Sequence, residues 1–354
     1  MPNLLSTANQ YVKMTAANLP STIRAVYQID PKLTALKLME TPLPKPTGPN
    51  DHLIKIKATA PCLGELGWEI NYPSIFPPNR ERVPGTEAAG VVATSPPSSP
   101  FKPGDEVYFR LHGRYPGCLR EYTIVHTEEL ALKPKTLDWV EAAATPLSTL
   151  TAWQGLFTQG ILNKHGIKGD ADARAHNGKL RVLITGAGGS VGTWAVQFAA
   201  AAGAGSVVAQ VSGANIEAAN KAGATEIIDY RKQSIDEWAK EDASREVDLV
   251  LDCLGGPTLA SCWAAVREGG VLLSVVGSPD ELKPEGMNKT LAKATWFLVD
   301  CKGDDLKEIA DFVDARGLKP QIDSVVGFEE FQAAYDKVEQ KRAKGKVVIK
   351  VDRF

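Results

Sequence analysis

The chain has 354 residues, about twice the usual domain size, so two domains are expected. Lysine and arginine together number 40 against 42 acidic residues. The resulting net charge of −2 gives no electrostatic reason to expect nucleic acid or an anionic membrane as a partner. A hydrophobic share of 44% can fill two cores, yet no apolar run approaches the roughly 20 residues of a membrane helix, so a soluble protein is expected.

The first 20 residues carry one charge, Lys13, and no long apolar core, which argues against a secretory signal. A mitochondrial presequence is rich in arginine, and the first arginine is Arg24. The cytoplasm is therefore the expected compartment, with the mitochondrion as the alternative; Met14 is a candidate second start that would make residues 1–13 dispensable. Residues 22–149 then read as short β segments at 23–29, 53–60, 88–93, 106–110 and 121–125. Proline- and glycine-rich clusters at 41–49 and 95–100 separate them. Many short strands at such spacing predict a barrel-like β domain. Within it, Pro103-Gly104-Asp105 is a tight turn feeding a strand.

Near residue 140 the texture changes. Residues 139–145 and 150–157 read as helices, and the polar stretch 163–179, with three glycines, reads as a surface loop insertion. Strands at 181–185, 206–211, 226–229, 248–252 and 271–276 then alternate with helices at 191–202, 215–222, 235–240 and 257–266. That alternation predicts crossover connections and a parallel sheet covered on both faces. The tail reads as helices at 304–315 and 328–341 and a strand at 346–351. Five cysteines are scattered, odd in number and never in a C-x-x-C pair, which suits a reducing compartment better than a disulfide framework or zinc knuckle.

The chemistry concentrates at one turn. Val182-Leu183-Ile184-Thr185 runs into Gly186-Ala187-Gly188-Gly189-Ser190-Val191-Gly192 and then into a helix. A glycine at 189 lets the backbone approach a pyrophosphate that a Cβ would repel. Gly192 lets the helix pack on the strand, and the open N–H groups of the helix start face the phosphates. Ala187 replaces the first glycine of G-x-G-x-x-G, so the strand–turn–helix context carries the motif. An NAD site carries a carboxylate about 20 residues on, at the end of the second strand. This strand ends Gln210-Val211-Ser212-Gly213-Ala214-Asn215, without one, so NADPH is the expected cofactor. Ser212, Asn215, Tyr230 and Arg231 are candidates for its 2′-phosphate. Helix N-capping is the other role open to Ser212 and Asn215.

In order along the chain, Val83-Pro84-Gly85-Thr86-Glu87-Ala88-Ala89-Gly90, Phe101-Lys102-Pro103-Gly104-Asp105, Gly117-Cys118-Leu119-Arg120-Glu121-Tyr122, Leu150-Thr151-Ala152-Trp153, the glycine turn, Asp248-Leu249-Val250-Leu251-Asp252-Cys253-Leu254-Gly255-Gly256 and Gly345-Lys346-Val347-Val348-Ile349 resemble the medium-chain dehydrogenase/reductase superfamily. The resemblance spans roughly residues 22–352. It implies an α/β chain with a Rossmann doubly wound parallel sheet plus a GroES-like β-barrel domain. The catalytic domain would take residues 1–149, with 301–354 returning to it, and the NADPH-binding domain 150–300. A substrate cleft would lie where they meet.

Zinc-dependent members have a Cys ligand where Cys62 stands and a His where this chain has Thr86; Thr145-Pro146-Leu147-Ser148 offers no third ligand. No metal is therefore expected, and the resemblance narrows to the quinone-oxidoreductase and enoyl-reductase branch. Members of that branch reduce a quinone or an α,β-unsaturated carbonyl by hydride transfer. By the same resemblance Tyr72 is the candidate catalytic donor, matching across a one-residue gap, and Trp68 the candidate pocket wall. Thr151, Cys253, Leu254, Val276, Gly277, Phe297 and Val299 are expected around the nicotinamide. A homodimer joined near residues 295–299 is expected from family habit, with a small molecule as substrate. Two further readings stay open: a nucleotide-binding sensor or crystallin-like protein without turnover, and a metal-free carbonyl or alcohol oxidoreductase.

Overall fold

The computed structural model describes residues 19–352 apart from residue 78, so the Met14 start and the amino-terminal targeting reading lie outside the described residues. The chain divides into two compact units. Of the described residues, one holds those up to Ala143 together with Val325–Lys341 and residues 348–352; the other holds Ala144–Ser324 and Arg342–Val347.

In the first unit, β1 (Thr22–Gln28) and β2 (Leu36–Pro42) form an antiparallel pair. β3 (Asp51–Thr59), the short helix α1 (Trp68–Asn71), β4 (Glu87–Thr94), β5 (Glu106–Arg110), β6 (Tyr122–His126), β7 (Leu130–Leu132) and helix α2 (Trp139–Ala143) follow. β2 was not expected from the sequence, and its burial shows why: none of its side chains is fully buried, so it lacks an apolar face to read. β4 is the opposite case, buried at seven of its eight positions. A Cβ on Gly90 would lie 2.3 Å from the Lys55 carbonyl oxygen, so this glycine is what lets β3 and β4 approach across an irregular register. A small core of Ile23, Leu53, Ala93 and Tyr122 closes one side.

The second unit opens with α3 (Pro146–Trp153) and α4 (Ala171–Asn177), then alternates β8 (Arg181–Ile184), α5 (Ser190–Ala201), β9 (Ser206–Val211), α6 (Asn215–Ala222), β10 (Glu226–Asp229), α7 (Ile235–Lys240), β11 (Val247–Asp252), α8 (Gly256–Ala265), β12 (Val266–Ser274), β13 (Lys293–Trp296) and α9 (Gly303–Arg316). The strands pair in parallel in the order β10-β9-β8-β11-β12-β13, the doubly wound order. Leu183, Val208, Ile228, Val250 and Leu272 from the sheet pack with Trp238, Leu259 and Trp263 from α7 and α8 in one core.

Two expectations need correction here. The 163–179 stretch is not a structureless loop. It holds a helical turn at Lys164–Lys168 and α4, locked by the buried Asn177, whose amide bonds Asn163 N and O at 2.8 and 2.9 Å and Ala202 O at 2.7 Å. The second unit also keeps residues 301–324, later than the return expected at 301. The reason is α9, whose Phe312 ring packs on Phe198 of α5 with centroids 5.2 Å apart. Beyond it β14 (Ile322–Gly327), α10 (Phe331–Glu339) and β15 (Lys346–Lys350) follow. The seven-stranded sheet runs β14-β15-β3-β4-β5-β7, with β6 beside β3.

Candidate functional site: a dinucleotide cradle

β8 is buried along three of its four residues and ends at the glycine turn, where Gly186 takes φ +57°, a conformation that favours glycine. α5 starts at Ser190 with Gly189 as N-cap and no side chain capping it, so the N–H groups of its first turn, including those of Ser190 and Val191, are left for an acceptor outside the helix. Gly192 is fixed by packing: its Cβ would sit 2.4 Å from Gly186 O and 2.6 Å from Ala187 Cα, both backbone atoms. A Cβ on Gly188 would meet Asn215 Nδ2 at 2.5 Å, so Gly188 makes room for the Asn215 amide.

Over this turn lies a cavity of about 520 Å³ at the carboxyl ends of β8 to β11, walled by Gly188, Gly189, Ser212, Asn215, Tyr230 and Leu254. All six were predicted. Gln210, Ser234, Thr258 and Ser261 also line it and were missed. Gln210 carries an acceptor that a ligand could satisfy: its Oε1 is buried without a hydrogen-bond partner. The capping alternative for Ser212 and Asn215 is not realised. The N-cap of α6 is Ala214, no side chain caps the helix, and Asn215 is its first residue. Arg231 does not line the cavity, but its Nη1 lies 3.6 Å from where a Cβ of Gly213 would be. Uncapped amides, an orphaned acceptor and an open glycine face suit the adenosine and diphosphate of a pyridine dinucleotide.

A second group organises the loops beyond. The Asp252 carboxylate is fully buried and accepts from Thr185 Oγ1 (2.7 Å), Ser274 Oγ (2.8 Å), Gly255 N (2.9 Å) and Leu254 N (3.3 Å). Thr185 Oγ1 accepts from Cys253 N, and Ser274 Oγ from Val276 N and Gly277 N. One carboxylate thus fixes the positions predicted to border the nicotinamide. Leu254 and Val276 stand about half exposed there, while burial pushes the Cys253 thiol well above its ordinary range and keeps it neutral. Asp252 itself was missed; an acid closing a buried strand, with Thr185 and Ser274 closing its neighbours, is the signal that could have found it. Phe297 and Val299 are buried, and the Thr151 hydroxyl donates to Leu147 O at 2.7 Å.

In the first unit, Tyr72 follows α1 with 38% of its surface exposed. The chain around it is held by Glu69, which accepts from Arg80 Nε (3.0 Å) and from Arg82 Nε and Nη2 (2.9 and 2.8 Å). The Arg82 guanidinium, then Arg80, hold the Glu69 carboxyl below its usual range. Trp68 lines a small cavity with Glu65 and Thr86. Cys62 Sγ donates to Leu63 O at 3.7 Å, and Thr86 Oγ1 is buried without a partner. Among the described residues no three His, Cys, Asp or Glu side chains are grouped so that they could hold a metal ion. Sequence reasoning also missed Glu65, buried at 6% exposure and the only charge between Lys57 and Glu69. Its oxygens accept from Cys62 N and Gly85 N, both at 3.3 Å, and burial pushes its carboxyl up to about 7.

Comparison with known proteins agrees with this geometry. Residues 48–135 match the family described as alcohol dehydrogenase GroES-like domain, and residues 222–349 the one described as zinc-binding dehydrogenase. The chain is 44% identical over 338 residues, 95% of its length and 99% of the relative's, to a probable zinc-binding oxidoreductase, mitochondrial, of Arthroderma benhamiae. It is 32% identical to an NADPH-dependent alkenal/one oxidoreductase, chloroplastic, of Arabidopsis thaliana, across 75% of this chain and 63% of that one. A solved alcohol dehydrogenase superfamily protein from Novosphingobium aromaticivorans superposes with a TM-score of 0.75 at 27% identity, covering 94% of this chain and all of the other.

Proposed function

Because this chain belongs to the medium-chain dehydrogenase/reductase superfamily, whose members similar to it are oxidoreductases using a pyridine nucleotide, we propose that it reduces an activated C=C bond of an enal, enone or enoyl thioester, or a quinone, with NADPH and without zinc. The observation that carries this reading is the cavity over the glycine turn. Its second strand ends in Ser212 and Asn215 rather than a carboxylate, so a 2′-phosphate meets hydrogen-bond donors and no opposing charge.

When bound, the reduced nicotinamide supplies the hydride. The α5 amides and the turn hold the diphosphate, while Ser212, Asn215 and Tyr230 hold the 2′-phosphate end, with Arg231 beside them. Leu254, Val276 and Gly277, set by Asp252, shape the edge that meets the ring. Tyr72 donates a hydrogen bond to the carbonyl oxygen as negative charge grows there, which lowers the barrier to addition. Thr86 replaces the histidine a zinc enzyme needs, so protein donors rather than a Lewis acid carry that charge. The mitochondrial relative weighs against the cytoplasmic expectation, and the mitochondrion becomes the proposed compartment. The expected homodimer remains part of this reading. β13 is an edge strand of its sheet, and sedimentation of the purified protein checks the state.

The experiment mixes protein with NADPH and a panel of enals, enones, enoyl thioesters and quinones and follows cofactor absorbance. Oxidation with an enal or enone supports the reading. Tight NADPH binding without turnover across the panel would replace it with a sensor role.

A further inference from the structure

The mechanism above leaves Gln210 unused. It is the next-to-last residue of β9, buried at 6% exposure, and it lines the cavity over the glycine turn. Its carbonyl Oε1 has no hydrogen-bond partner among the described residues. An acceptor shut away from water in this manner destabilises the free protein until a donor reaches it. A methionine or leucine would fill the same space without that penalty, so the amide needs a reason outside packing.

The position of Gln210 between two parts of the cradle identifies the donor. Gln210 O accepts from Ala187 N at 3.1 Å, so its backbone lies against the turn assigned to the diphosphate. Two residues later, Ser212 stands at the end assigned to the 2′-phosphate, and both line the same cavity. In an adenosine ribose the path from the 5′ carbon, which carries the diphosphate, to the 2′ carbon passes the 3′ carbon. Adenine leaves from the 1′ carbon, beyond that path. The 3′-hydroxyl is therefore the donor that a group placed between turn and Ser212 meets, and in NADPH it is the one free hydroxyl of that sugar.

We propose that Gln210 Oε1 accepts the 3′-hydroxyl of the adenosine ribose and makes the cradle selective for nucleotides in which that hydroxyl is free. The inference rests on the dinucleotide reading of the cavity. The terminal torsion of a glutamine is broad, so its carbonyl turns onto a hydroxyl at little cost. Selection follows from what the 3′ position offers. A 3′-phosphate has no such donor to give and sets negative oxygens against the carbonyl, which leaves Gln210 unpaired and adds repulsion. Coenzyme A, which carries enoyl thioesters, has its extra phosphate on that carbon, so its nucleotide is kept out of a cradle meant for the reductant. NADPH and NADH both keep the 3′-hydroxyl, so Gln210 strengthens the two alike, whereas Ser212 separates them.

The test is calorimetric titration of the full chain, wild type and Gln210→Met, with adenosine 2′,5′-bisphosphate and adenosine 3′,5′-bisphosphate. Wild type should bind the 2′,5′ isomer at least about tenfold more tightly. Gln210→Met should weaken the 2′,5′ isomer about tenfold and leave the 3′,5′ isomer unchanged or tighter. A variant that binds the 2′,5′ isomer as wild type does, or that loses both isomers equally, overturns the proposal. Should the variant not fold, wild type decides with ADP and 3′-deoxyadenosine 5′-diphosphate. The deoxy nucleotide should bind about tenfold more weakly, and equal binding overturns the proposal. None of these measurements uses turnover. Failure of the substrate panel with the isomer preference intact removes the reductase reading and leaves this one. No binding of NADPH or either bisphosphate removes the cradle itself, and this inference with it.

Discussion

At Ser212, buried at the end of β9 and facing the cavity, a carboxylate would stand where NAD-dependent proteins place theirs. Ser212→Asp should shift the ratio of kcat/KM for NADPH over NADH by at least about tenfold toward NADH, because the new charge opposes the 2′-phosphate. An unchanged ratio in steady-state assays removes Ser212 from the cofactor site. Glu65 makes a separate prediction about stability. Its folded pKa of about 7 lies above the ordinary 4.5, so between these values the folded chain binds a proton that the unfolded chain does not. Stability from this group is therefore lost as pH rises through that window. Wild type should lose roughly 3 kcal/mol between pH 5 and pH 8 in urea unfolding, a loss absent from Glu65→Gln. Equal pH dependence in the two proteins would mean that the carboxyl is not buried as described.

At the scale of elements, the β8–turn–α5 unit was fully legible, because a buried strand, a glycine run and a helix follow without a gap, and each imposes its own residue pattern. β2 was not, since it forms by pairing with β1 and buries no face. α4 was not either. Its polar, glycine-containing sequence reads as loop, and only the tertiary clamp of Asn177 on Asn163 and Ala202 shows the ordering. Five cavity residues were legible because the turn and the strands after it count forward to them, and Leu254 was implied by the family resemblance. Asp252 and Gln210 were not, because their roles depend on which strand ends lie side by side. Asp252 ties three of those ends together. Asp252→Ala should cost about 2–4 kcal/mol, seen as a lower Tm, and raise the NADPH KM, since Thr185, Ser274 and the Gly255 amide lose their acceptor. A Tm within a degree of wild type would show that the network does not hold these loops.

For the whole molecule, the metal question has a direct measurement. Turnover of NADPH with an enone should be unchanged after chelator treatment, and metal analysis should find less than about 0.1 zinc per chain. Activity lost to chelator and restored by zinc would show that ligands outside the pattern of Cys62, Thr86 and Ser148 assemble a site. The two-domain division and the parallel sheet were readable from the change in texture near residue 140. The crossing points were less so, because sequence periodicity does not report that the Phe312 ring of α9 belongs with Phe198.

β15 lies between β14 and β3 in its sheet, and the chain reaches it only after nearly all of the second unit has been made. During synthesis on a ribosome, the portion translated first is thus the one finished last. Its sheet waits for a strand some 290 residues downstream of β3, while the doubly wound layer can close as soon as β13 emerges. A chain cut short by its final dozen residues would carry an intact nucleotide cradle beside a sheet with an open slot.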